Sequence, residues 1–139
     1  GIGLLGNVLG CMMMGFLIRL AAYDTNVLLF KQLEGIVSLK MGHDWYEALI
    51  LSFFCGLLIH IGIDGMRRID NPIGRYLVLF LCIGGFTLAG FEHSVANMFF
   101  YFLNGSYTLD AALSLLLLIV GNSLGGLAVS GVRLLVSKE

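Results

Sequence analysis

Four stretches of the chain, residues 2–20, 46–63, 76–103 and 111–135, are so dense in apolar side chains that polar positions hardly interrupt them. Each approaches or exceeds the ~20 residues that cross bilayer hydrocarbon as a helix. Between them the pattern turns polar: 21–45 mixes charged and apolar residues, 64–75 is rich in arginine, and 104–110 opens on an Asn-Gly-Ser turn. The third stretch alone is broken inside. It carries Gly84, Gly85 and Gly90 and then an adjacent acid and imidazole, Glu92 and His93. Each glycine costs a helix about 1 kcal/mol, so two half-helices are predicted, joined by non-helical backbone over about 84–91, the second starting near Glu92 or His93. Ionisable groups at such depth are costly and mark a functional site.

Composition agrees with four spans. The chain is 58% hydrophobic and 12% charged, against about 25% charge in soluble domains, so it reads as an all-α, multi-pass integral membrane protein. The apolar start has no basic segment before it and no small-residue cleavage site, and Arg19 lies at its far end, so it reads as a helix rather than a signal peptide. A net charge of −1 gives no reason to expect a nucleic-acid partner. Arginines 67, 68 and 75 and the tail residues Arg133 and Lys138 put the 64–75 connection and the C-terminus on the cytoplasmic side. Cys11, Cys55 and Cys82 lie inside spans without metal-ligand spacing, and read as small buried hydrophobes. No metal or other cofactor is expected, and no enzymatic activity.

A five-residue motif recurs. Gly6-Asn7-Val8-Leu9-Gly10 in the first span returns as Gly121-Asn122-Ser123-Leu124-Gly125 in the last. Glycines four apart let helices approach closely in lipid, and an asparagine in the same turn can tie down non-helical backbone nearby. The repeat divides the chain into the last helix of one unit (1–22), an extracytoplasmic connection (23–45), and a second unit of helix, broken helix and Gly-Asn helix (46–139). On this reading about two spans are expected before Gly1, and the chain is part of a six-span protein.

The ten residues from Gly90 to Phe99, Gly-Phe-Glu-His-Ser-Val-Ala-Asn-Met-Phe, resemble the signature of the formate/nitrite transporter family. Phe86, seven before His93, Lys40, seven before Glu47, and both Gly-Asn motifs match the family as well. The resemblance implies an aquaporin-like fold of two inverted three-helix repeats, here the third to sixth transmembrane spans with the fifth broken at mid-membrane. It also implies a pore in each protomer of a homopentamer, in the plasma (inner) membrane, passing small monovalent anions such as formate, nitrite or hydrosulfide. One departure is that Gly56 stands where the family commonly has asparagine in the fourth span.

Each candidate residue takes a role from this frame. His93 begins a half-helix, whose aligned peptide dipoles supply roughly half a positive charge; it is the residue placed to protonate or hydrogen-bond an anion. Phe86 is the expected hydrophobic gate with Thr87 beside it in the substrate path, and Lys40 the charge that collects anions at the outer mouth. Glu92 is expected to fix the loop rather than touch substrate, since a carboxylate would repel an anion. Asn7 and Asn122 are expected to support the broken segments, and His60 is a candidate for the inner vestibule. The rival reading from another class is a haem-binding electron carrier ligated by His60 and His93. A neutral-solute channel of aquaporin type is disfavoured by the lack of Asn-Pro-Ala in a chain whose single proline is Pro72.

Overall fold

The computed structural model describes residues 2–136, so Lys138 of the charge argument lies outside the described residues. It is helical throughout: α1 (Ile2–Ala22), α2 (Val27–Met41), α3 (Trp45–Arg68), α4 (Pro72–Leu88), α5 (Ser94–Asn104) and α6 (Leu109–Val136). Helices α1, α3 and α6, of 21, 24 and 28 residues, are long and apolar enough to cross a membrane. At 1.5 Å per residue, α4 and α5, with 17 and 11 residues, each fall short of the ~30 Å hydrocarbon core alone. Most large apolar side chains of the long helices are exposed, including Leu9, Phe16, Leu127 and Leu135. Water would penalise that surface heavily, and lipid does not.

The chain forms two compact units. The first, Gly1–Asp44 with Ser94–Leu116, contains α1, α2, α5 and the start of α6. Its core joins Phe30, Leu33 and Val37 of α2 to Tyr101 and Leu103 of α5 and Ala111 of α6. Gly15 of α1 meets α5 so closely that a methyl would lie 2.9 Å from the Leu103 nitrogen. Arg19, a turn further on, donates to the carbonyls of Leu103 (3.1 Å) and Asn104 (2.7 Å), the last of α5. Its guanidinium also lies 4.5 Å from the centre of the Tyr23 ring. A cation bonded to carbonyls at a helix C-terminus satisfies orphan acceptors and opposes the negative end of the dipole.

Helix α2 lies in the connection 23–45, where the hydrophobic pattern gives no span. Asn26 caps it by accepting from the Leu29 N–H at 3.2 Å, and its buried stripe of Phe30, Leu33 and Val37 repeats at helical spacing. Lys31 and Glu34 between them make it amphipathic. It is therefore an outlying helix with one buried face, too short and too charged to be counted a span.

The second unit, Trp45–His93 with Leu117–Glu139, contains α3, α4 and the rest of α6. Asn71 caps α4 by accepting from Ile73 N at 2.9 Å and Gly74 N at 3.3 Å, with Pro72 in the first turn, where its missing N–H costs nothing. Glycines 62 and 65 let α4 approach α3, each facing a side chain of α4, Cys82 and Val78. Helices α3 and α6 approach more closely still. A methyl at Gly56 would collide with the Asn122 carbonyl, one at Gly121 with the Ser52 hydroxyl, and one at Gly125 with the Phe53 carbonyl. Gly56 of α3 and Gly121 and Gly125 of α6 together permit this backbone contact.

The predicted break is present but shorter and later than expected. Gly84, Gly85, Phe86 and Thr87 are all helical, and α4 continues to Leu88. Two glycine penalties are outweighed because unpaired backbone at membrane depth finds no water to bond. What ends the helix is Gly90, at φ +70°. The N–H of Gly90 donates to Thr87 O at 3.2 Å and that of Phe91 to Phe86 O at 3.0 Å, a Schellman closure that requires the left-handed conformation glycine adopts freely. Residues 89–93 are the non-helical segment, and α5 starts at Ser94 rather than at Glu92 or His93.

Candidate functional site

The residues that follow the Gly90 closure are held by the second unit. Glu92 is 2% exposed, and its backbone N–H reaches the Leu51 carbonyl of α3 at 3.4 Å. From α6, the Asn122 side-chain amide donates to the Ser52 carbonyl at 2.8 Å and to the Glu92 carbonyl at 2.9 Å. One amide therefore ties α6 to both α3 and the non-helical segment. Ser52 is wholly buried, its hydroxyl donating to Leu49 O at 3.0 Å. The close α3–α6 contact makes this possible, because an amide side chain is short and reaches both carbonyls only when the backbones nearly touch.

His93 and Phe86 come together, with ring centroids 5.6 Å apart and planes inclined by 48°. The last full turn of α4 and the segment after Gly90 fold back on each other at this point, so the two aromatic rings share one spot although seven residues separate them. Phe91 stacks on Phe54 of α3 at 5.7 Å, fixing the segment from its other side. Among the described residues the buried polar ones are Ser52, Glu92, Ser94 and Asn97. Burying polar groups in an apolar protein costs about 1–3 kcal/mol each unless they are bonded; Glu92, Ser94 and Asn97 belong to the segment 90–99 and Ser52 to α3.

The remaining predicted residues are placed differently. Thr87 is exposed on α4, donating its hydroxyl to Ile83 O at 2.8 Å, and borders an apolar groove with Tyr76, Phe80 and Leu88. Lys40 is half-buried in the last turn of α2 and belongs to the first unit. Asn7 is exposed on α1, and a methyl at Gly6 or Gly10 would meet nothing within 4 Å. The two copies of the repeat therefore differ: the α6 copy is packed against α3, and the α1 copy is open. His60 shares a hydrogen bond of 3.2 Å with Ser130, next to Gly126. Serine 52, Arg19 and the Asp64–Arg133 contact were not indicated by the sequence pattern, since none lies in a motif or at unusual spacing.

A protein-family model for formate/nitrite transporters matches residues 1–136. The chain belongs to the formate/nitrite transporter family. It is 27% identical over 143 residues to the formate-nitrite transporter of Plasmodium knowlesi, covering 92% of this chain and 45% of that protein. With the formate-nitrite transporter of Plasmodium falciparum it shares 26% identity, covering 96% of this chain and 47% of the relative. The formate channel FocA of Haemophilus influenzae is 32% identical over 60 residues, 43% of this chain and 21% of its own length. The chain spans about half the length of the first two relatives. No solved structure gave a significant match. Membership of a transporter family gives no support to a haem carrier, and neither histidine is placed as such a ligand, with His60 bonded to Ser130 and His93 lying against Phe86.

Proposed function

We propose that the protein is a transmembrane channel or transporter for small monovalent anions of the formate, nitrite or hydrosulfide type. The observation that carries this reading is the imidazole of His93 against Phe86, beside a helix break anchored by Asn122. The start of α5 adds a positive dipole end at the same point in the sequence, which attracts anions. Lys40 raises the local anion concentration at the outer mouth. Phe86 is the hydrophobic gate, with Thr87 on the same path, and His60 lines the inner vestibule.

Coupling to protons follows from the cost of carrying charge through hydrocarbon. An imidazolium at His93 gives its proton to the anion, the neutral acid passes the gate, and the imidazole recovers a proton from the aqueous side. Glu92 stays out of the path and holds the loop. In the inverted-repeat reading, the open Gly6-Asn7-Gly10 face of α1 calls for a helix that does for α1 what α3 does for α6. The protomers assemble as a homopentamer in the plasma (inner) membrane, with the 64–75 connection and the C-terminal end cytoplasmic. Flux of formate, nitrite, hydrosulfide and lactate into proteoliposomes across a pH series tests the proposal: selective uptake of one or more of these anions supports it, and impermeability to all refutes it.

A further inference from the structure

At one end of the second unit the apolar faces of α3 and α6 finish in a charged trio. Asp64 accepts from Arg133 Nη1 through Oδ1 at 3.0 Å and pairs with Arg68 Nε through Oδ2 at 2.9 Å. One carboxylate thus holds two guanidinium groups, and the trio keeps a net positive charge. The arginine side chains remain 51% and 56% exposed, so most of their five N–H donors each face outward from the ion pairs. A single arginine would have been enough to lock α3 to α6. Directly beside the trio is an open groove of about 1040 Å³, whose other walls are aliphatic apart from Ser130, among them Leu57, Ile61 and Val132.

We propose that this groove binds an anionic phospholipid, its phosphate held by Arg68 and Arg133 and an acyl chain laid along Leu57, Ile61 and Val132. Charge and shape select this occupant together. A soluble anion leaves the aliphatic wall bare, and a zwitterionic lipid leaves the surplus positive charge unanswered. The site lies where a membrane-length helix reaches the interface, at the level where basic residues meet headgroup phosphates. Asp64 sets the spacing of the two guanidinium forks, so that both present N–H groups toward one phosphate. The leaflet concerned is the one that faces the arginine-rich connection after α3.

The test uses the purified protein in dodecyl maltoside, titrated with dioleoyl phosphatidylglycerol, dioleoyl phosphatidylcholine or glycerol 3-phosphate, with thermal stability and lipid retention in native mass spectra as readouts. Phosphatidylglycerol is expected to stabilise and be retained in preference to the other two. Each of Arg68→Gln and Arg133→Gln should weaken that retention about fivefold, Arg133→Lys less, and Arg75→Gln, outside the groove, not at all. Ile61→Trp keeps every charge but fills the aliphatic wall, and it should abolish the preference even if an arginine variant fails to fold. Equal effects of the two lipids, full stabilisation by glycerol 3-phosphate, or equal losses from Arg75→Gln and Arg133→Gln would overturn the site.

Discussion

Replacing Asn122 with alanine removes one amide that donates two hydrogen bonds, to Ser52 O at 2.8 Å and to Glu92 O at 2.9 Å. Side-chain hydrogen bonds between membrane helices average about 0.6 kcal/mol each, which sets a floor of about 1 kcal/mol for the pair. The Glu92 end is different, because Glu92 is almost fully buried and water cannot readily replace the lost amide; losing a bond at a buried polar group costs about 1–3 kcal/mol. The expected loss is therefore about 2–4 kcal/mol, concentrated in the non-helical segment 89–93. In detergent this should lower the melting temperature by several degrees and speed amide exchange across 89–95, while α1 and α2 are unaffected. Asn122→Asp separates donor chemistry from size, since it has nearly the same shape but an ionised carboxylate donates nothing and would face two carbonyls; it should be at least as damaging. Ser123→Ala, which removes a hydroxyl bonded only to Ile119 of its own helix, serves as the control. An Asn122→Ala protein that melts, exchanges and transports like wild type would refute the reasoning that this amide anchors the break.

Gly56→Ala drives a methyl into the Asn122 carbonyl, and overpacking of that kind costs about 1–3 kcal/mol; a melting temperature equal to wild type would show that α3 and α6 can part without loss. Arg19→Gln removes the cation from the last carbonyls of α5, so exchange at 103–106 should accelerate, with a stability loss of about 1–2 kcal/mol because hydrogen bonds to charged groups contribute about 1.5–3 kcal/mol each before partial exposure is allowed for. Lys40→Gln should slow anion uptake at low ionic strength and have less effect at high salt, since long-range steering by a charge that is in part open to solvent is screened; an unchanged rate at low salt would remove Lys40 from the entry path.

The four apolar stretches could be read from the chain because lipid imposes length and apolarity directly, and the burial of Glu92 agrees with its place inside one of them. The position of the break could not. Density of glycine pointed to Gly84 and Gly85, whereas the helix closes where a positive φ is needed, at Gly90, and Gly105, at φ +79°, follows α5 in the same way. Glycine count measures propensity, and closure depends on where a left-handed residue lets the last carbonyls be satisfied. Helix α2 escaped a search for membrane-length runs, although the Phe30, Leu33 and Val37 spacing and the Asn26 cap were both present in the sequence. Arg19 at the end of α5 and Asp64 on Arg133 pair residues 84 or more and 69 positions apart, and no local pattern encodes such partners. The Gly-Asn motif pointed correctly to close packing in α6, and its meaning for Gly56 emerged only with the crossing of α3 and α6.

In the proposed function His93 handles the anion and its proton. The direct test is the initial rate of formate uptake into proteoliposomes between pH 5 and pH 7.5, comparing wild type with His93→Ala and His93→Gln. The proposed step needs a protonated imidazole, so wild-type uptake should rise as pH falls. Both variants should lose that dependence, with alanine also losing most of the flux and glutamine, which still offers a hydrogen bond, retaining part of it. Wild-type rates and a wild-type pH profile in His93→Ala would contradict the account.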